Sequence, residues 1–279
     1  MGLLKGEKIS LNFAAISPHP PIIVPGIGSN EDLQEASSTV LGMKKLASAF
    51  RTAEIETLIV ISPHMLVYPD RFNICGMKKI FGSFASFGAP DIMMEFNNDS
   101  ALAHEFNEVA SKNNIRTLLY DNGGEFFEMD HGLMVPLFYL SQEQESVLKV
   151  LPMAYSSQDR SCHFTFGQII GEVIKKNPSR VGVIASGDLS HRLISGAPGG
   201  YSKAGKDFDK KLVANLESGN SGEIMLYDEE FIEDAGECGY RSILILLGIL
   251  DGVKIKPEIL SYEGPFGVGY LVANYKLKD

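Results

Sequence analysis

Four of the six histidines share one kind of local setting, immediately after an apolar run or at the entrance to one. His19 sits in Ser17-Pro18-His19-Pro20, His64 in Ser62-Pro63-His64, His131 in Asp130-His131-Gly132, and His191 closes Ser186-Gly187-Asp188-Leu189-Ser190-His191. Imidazole titrates near neutral pH and is the commonest metal ligand, so such a set suits either proton transfer or metal binding. Two neutral imidazoles and one carboxylate make a facial set that holds a divalent metal and leaves positions open. His19, His64 and Glu237 can supply it. An isolated strand-end histidine is more often a hydrogen-bonded loop residue than a ligand, but the repeated Ser-Pro-His context favours reading His19 and His64 as a pair. Asp188 has two readings of equal weight: a turn or helix cap, ordinary for Ser-Gly-Asp, and an active-site carboxylate that fixes the tautomer of His191. No Gly-x-Ser-x-Gly elbow or Walker-type phosphate loop occurs, and Gly26-Ile27-Gly28 is too short for a dinucleotide fingerprint.

The elements that must position these residues read as alternating strands and helices. Residues 180–184, β-branched and apolar, predict a buried strand whose carboxyl end presents Asp188 and His191, where α/β proteins commonly place their chemistry. Residues 11–16 and 57–62 predict two more strands, each ended by Ser-Pro-His, because proline removes a backbone donor and restricts its predecessor. Between them, Leu33, Ala36, Val40, Met43, Ala47 and Phe50 recur at helical spacing and predict one helix over 31–50. Two strands joined by a helix present equivalent loops on one edge, which brings His19 and His64 together.

Further strands are expected at 72–76, 116–120, 147–154, 255–262 and 270–275, and further helices at 99–112, 163–175, 201–216 and 242–250. His131 stands at the entrance of another apolar helix, while His104, beside Glu105, reads as a surface residue. Residues 82–90 read as an aromatic, glycine-containing loop: packing is its ordinary role, lining a pocket for a flat substrate its functional one. Residues 223–233 read as an acidic connector. The expected fold is a single α/β domain over 1–279, a mixed central β-sheet flanked by helices.

Composition narrows the function classes. With 279 residues and 44% hydrophobic side chains the chain can bury a large core, and its formal charge of -10 gives no cationic footprint for nucleic acid. Cys75, Cys162 and Cys238 are three and widely spaced, which suits neither a disulfide framework nor a thiolate zinc ribbon and fits a reducing cytoplasm. Residues 1–8 are too short and charged for a signal-peptide core, and no apolar run approaches the roughly 20 residues of a membrane helix.

In order along the chain, Ser17-Pro18-His19-Pro20, Ser62-Pro63-His64, Asp130-His131-Gly132, Ser186-Gly187-Asp188-Leu189-Ser190-His191 and Glu237-Cys238-Gly239 resemble the class III extradiol dioxygenases, the LigB-like superfamily. The resemblance implies a non-haem Fe(II) site on His19, His64 and Glu237, with Zn(II) as a further occupant. It also implies His191 as acid/base residue, His131 as a hydrogen-bonding partner of substrate or oxygen, and a small aromatic diol and O2 as substrates. Cys238-Gly239-Tyr240-Arg241 is similar to the corresponding stretch of Memo proteins, relatives in which a cysteine lies next to the metal. Glu237 is therefore the expected third ligand and Cys238 the alternative. Three functions follow: extradiol ring cleavage, a Memo-like metal protein with a signalling or redox role, and a zinc hydrolase on the same residues. Some relatives work with a small accessory subunit, so such a subunit or a homo-oligomer is the expected assembly.

Overall fold

The computed structural model of the chain describes residues 10–142 and 147–278. The segment 1–8, read above as unlike a signal peptide, lies outside the described residues. From its start, β1 (Leu11–Ser17) leads through α1 (Asn30–Glu35) and α2 (Ser37–Thr52) into β2 (Thr57–Ile61). A peripheral segment follows: β3 (Phe72–Cys75), the antiparallel pair β4 (Lys79–Phe84) and β5 (Ala89–Asn97), α3 (Ser100–Lys112), β6 (Thr117–Tyr120) and the short β7 (Phe127–Glu128). The chain returns through α4 (His131–Leu140), β8 (Lys149–Ala154), α5 (Arg160–Lys176) and β9 (Val181–Ser186). Helices α6 (Lys203–Ser218), α7 (Ser221–Met225), α8 (Glu229–Ala235) and α9 (Tyr240–Ile249) precede the closing hairpin of β10 (Ile255–Glu263) and β11 (Tyr270–Leu277).

The sheet is mixed, in the order β10-β11-β1-β9-β2-β8-β5-β4-β7, with β3 and β6 branching from β8. Its centre, β1-β9-β2-β8, is parallel throughout, and β11 adds antiparallel to β1. Parallel strands covered on both faces carry apolar residues on both. On β2, Ile59 and Ile61 enter one core while Leu58 and Val60 enter the other. Met43, Leu46 and Phe50 of α2 and Leu133 and Val135 of α4 cover one face. Phe166 of α5, Phe208 of α6 and Ile243 of α9 cover the opposite one.

Three expected elements take another form. The helix expected over 31–50 is broken at Ala36 (φ −94°, ψ 28°), and the short first helix starts on a reciprocal capping box of Ser29 and Asp32. The two helices still bury Ala36, Met43 and Phe50. Residues 82–90, expected as a loop, belong to β4, a single 3-10 turn at Ala85–Phe87 and the start of β5. Alternate burial of Ile80, Gly82 and Phe84 is the period-two pattern of a strand with one covered face. The acidic stretch 223–233 contributes to α7 and α8, with Asp228 capping α8 by accepting from the amides of Glu230 and Phe231.

Register decides where the site lies. Ser17 is opposite Ser186, and Ile61 is opposite Ala185, so β1, β9 and β2 end level with one another at the carboxyl edge of the sheet. The loops carrying His19, His64 and Asp188 all leave from that edge.

Candidate metal centre

His19 is 2% exposed, and its surroundings assign its proton. Its backbone N–H donates to Asp188 Oδ1 at 3.0 Å, and its Nδ1 lies 2.9 Å from Ser186 Oγ. The Ser186 hydroxyl gives its one hydrogen to the carbonyl of Gly132 at 2.6 Å, so toward His19 it can only accept. His19 therefore carries its proton on Nδ1 and points the lone pair of Nε2 into the site. Burial, reinforced by His64, His131 and His191 and opposed by Asp188, lowers the pKa of His19 to about 3, which keeps the ring neutral at ordinary pH.

His64 presents Nε2 at 3.1 Å from Nε2 of His19. Ser62 at the end of β2 donates to Asp130 Oδ1 at 2.8 Å and accepts from the N–H of His64 at 3.2 Å, tying the second Ser-Pro-His loop to the start of α4. There Asp130 caps the helix through the amide of Leu133 at 3.1 Å, and His131 is the first helical residue. The rings of His64 and His131 lie 4.1 Å apart at 35°. One ligating atom from each of His19, His64 and His131 falls within 4.8 Å of the others. Burial lowers the pKa of both His64 and His131, so they too are available as neutral imidazoles. A side chain at Gly132 would not fit: its Cβ would stand 2.4 Å from Ser62 Oγ and 2.8 Å from Asp130 Oδ1.

The adjacent candidates Glu237 and Cys238 face different ways. Cys238 Sγ lies 3.5 Å from His19 Nε2 and 3.9 Å from His191 Nε2, and it accepts from the backbone N–H of Asp188 at 3.2 Å. Glu237 instead accepts from the N–H of Tyr240 at 2.5 Å, capping the first turn of α9, and lines a separate cavity of about 280 Å³ beside Arg160 and Arg241. Glu237, the expected third ligand, thus faces the start of α9, and of the two adjacent candidates Cys238 is the one that approaches His19. An orphan amide at the start of α9 has taken the carboxylate. Burial raises the pKa of Glu237 to about 7, and burial together with Asp188 and Glu237 raises that of Cys238 well above a free thiol. The approach of Cys238 depends on two glycines. A Cβ on Gly187 would lie 2.1 Å from the Cα of Gly239, so only glycine lets the two loops touch.

Asp188 and His191 complete the surround. Asp188 is 5% exposed, with Oδ2 at 4.0 Å from Nε2 of His19 and 3.9 Å from Nε2 of His191. Its carboxylate stands among the imidazoles, accepting from the N–H of His19 at 3.0 Å. Burial works against ionisation of both groups, yet His19 and then His191 lower the pKa of Asp188, and Asp188 raises that of His191. His104 is exposed, as expected, with Nδ1 2.7 Å from the Ser100 carbonyl of its own helix. Residues without an assigned role in the sequence reading, Ser62, Ser186 and Asp130, orient the imidazoles. Their signal was visible, since Ser62 and Ser186 close strands and Asp130 precedes a helix.

Around a tetrahedral ion, two nitrogens about 2.1 Å from the centre lie roughly 3.4 Å apart, and a sulfur about 2.3 Å from it lies roughly 3.6 Å from either nitrogen. His19 Nε2 lies 3.1 Å from His64 Nε2 and 3.5 Å from Cys238 Sγ, and the donors that come within 4.8 Å of one another are those of His19, His64 and His131.

Residues 13–273 match the family described as the catalytic LigB subunit of aromatic ring-opening dioxygenase, and the chain belongs to that family. Protein CA_C1420 of Clostridium acetobutylicum is 35% identical over 267 residues, covering 94% of this chain, which spans 57% of that protein's length. The 3,4-dihydroxyphenylacetate 2,3-dioxygenase of Escherichia coli is 22% identical over 231 residues, 79% of this chain and 83% of its own. A MEMO1 family protein of Methanosarcina mazei is 26% identical over 119 residues, 42% of this chain and 41% of its own. Among solved structures, an uncharacterised Escherichia coli K12 protein shares the fold with a TM-score of 0.66 at 18% identity, covering 94% of this chain and 98% of its own. Among the described residues, no helix is long and apolar enough to cross a membrane.

Proposed function

We propose that this LigB-family chain is an oxidoreductase-type metal protein whose single ion is held by His19, His64 and Cys238, the Memo-like reading of the site. The observation that carries it is the 3.5 Å approach of Cys238 Sγ to His19 Nε2, with Glu237 turned to the amide of Tyr240. An ion bound there supplies a redox or Lewis-acid centre, and a thiolate beside two imidazoles suits copper, zinc or iron. The Asp188 N–H aimed at Sγ stabilises the thiolate form that binding requires. Ser186 holds the proton of His19 on Nδ1, and Asp188 holds positive charge on His191, which can then give or take a proton at Nε2.

Extradiol ring cleavage is the second reading. It is supported by the His191 and Asp188 pair, by His131 beside the cluster, and by Phe87, whose ring lies 5.7 Å from that of His131. Under it, the substrate is a small aromatic diol, His191 accepts a diol proton, and Fe(II) occupies the centre. Oxygen uptake by the iron-loaded protein over a panel of catechols decides between the two. The Memo-like reading expects metal binding with no catechol-dependent uptake, and sustained uptake with ring-opened product would replace it.

A further inference from the structure

Continuous with the histidine cluster through His64 and Asp130 is a cleft of about 400 Å³, large enough for a single aromatic ring with a short side chain. Its walls are aromatic at Tyr120, Phe126 and Phe127, and its charged residues are Glu128 and Asp130. No lysine or arginine is among the described residues that line it. Phe126 is 43% exposed, a large apolar ring facing solvent at the rim.

Asp130 supplies a second, independent observation. Its Oδ1 is fully engaged, accepting from Ser62 Oγ and from the amide of Leu133. Its Oδ2 is buried and meets no hydrogen-bond donor among the described residues. A buried carboxylate oxygen without a donor is an unmet acceptor beside an aromatic wall. A cationic amine satisfies both features, since ammonium groups bind carboxylates and also the faces of aromatic rings. An anionic ligand of the same shape meets two carboxylates and no compensating cation.

We infer that this cleft selects an aromatic ligand bearing a positively charged amine, its ring against Phe126 and Phe127 and its ammonium toward Asp130 Oδ2 and Glu128. The inference rests on the histidine cluster being the functional centre, and it names the class of molecule brought there. Calorimetric titration of the metal-loaded protein with phenethylammonium and with the equally long 3-phenylpropionate tests it. Neither probe carries paired hydroxyls, so binding does not depend on chelation or ring opening. The amine is expected to bind about tenfold more tightly than the carboxylate, the scale of one partly exposed ion pair plus one cation–π contact. Glu128→Gln, at an exposed position, should shrink that preference several-fold, and Phe126→Ala should weaken both ligands. Equal binding, a preference for the carboxylate, no binding of either, or a preference that Glu128→Gln leaves intact would overturn the assignment. Amine preference without catechol turnover would uphold the cleft and remove only ring cleavage; turnover without amine preference would do the reverse.

Discussion

Removing the Ser186 hydroxyl takes from His19 the acceptor that keeps its proton on Nδ1, while the ring stays buried among the same neighbours. Ser186→Ala is therefore expected to weaken metal binding by about 10- to 100-fold, the usual scale for a group that orients a ligand, with the fold retained. Competition with a chromophoric chelator measures this, and unchanged affinity would remove Ser186 from the account. His191→Ala separates chemistry from binding. His191 stands 3.9 Å from both Asp188 Oδ2 and Cys238 Sγ and is only half-buried, so its loss should leave metal content intact. Whatever turnover the loaded protein shows should fall by about 10²- to 10⁴-fold, the range for a positioned acid or base. A variant with normal turnover per bound metal would make His191 a bystander.

At the scale of elements, the site depends on how closely the turn after β9 meets the turn before α9. Gly187→Ala puts a methyl carbon 2.1 Å from the Cα of Gly239, a clash with backbone that no rotamer relieves. The loops must part, and the variant should lose both metal affinity and about 2 kcal/mol or more of stability, read from denaturant unfolding. The same loop is held from behind by Asp209 of α6, which accepts from the N–H of Ser190 at 2.9 Å and from Tyr262 Oη at 2.8 Å. Burial raises the pKa of Asp209 to about 7 from 3.8. The folded protein then keeps a proton that the unfolded chain releases, so this group's contribution to stability falls as pH rises from about 4 to about 7, by at most about 4 kcal/mol. Asp209→Asn should flatten that part of the stability profile, gaining most on the wild type near pH 8; thermal melts at pH 5 and pH 8 that shift in parallel would contradict it.

Much of this element scale was legible beforehand. Proline after serine marked the ends of β1 and β2, and β-branched runs marked β2 and β9. What escaped is what depends on partners distant in sequence. Strands β4 and β5 pair with each other and carry too little periodic signal alone, and the apolar stripe runs through Ala36 with no sign of the break there. The choice between Glu237 and Cys238 was hidden for a similar reason. Adjacent side chains point apart, and which one meets the histidines depends on Gly187, fifty positions away in the chain and in contact with Gly239.

Over the whole molecule, the parallel centre of the sheet gathers loops from β1, β2 and β9, with α4 adding His131 and the turn before α9 adding Cys238. An ion bound at that junction links parts of the chain far apart in sequence and binds only the folded state. It should raise the unfolding temperature in a concentration-dependent way, by about 3 kcal/mol of stability at a hundredfold excess over its dissociation constant. A chelator should reverse the shift, and a melting temperature indifferent to both would argue against a built site. The central claim is narrower, that Cys238 and not Glu237 completes the metal set. Metal analysis of Cys238→Ser and Glu237→Ala, each loaded and desalted alongside the wild type, tests it most directly. The geometry predicts about one ion per chain in the wild type and in Glu237→Ala, and little in Cys238→Ser; full occupancy in Cys238→Ser with loss in Glu237→Ala would contradict it.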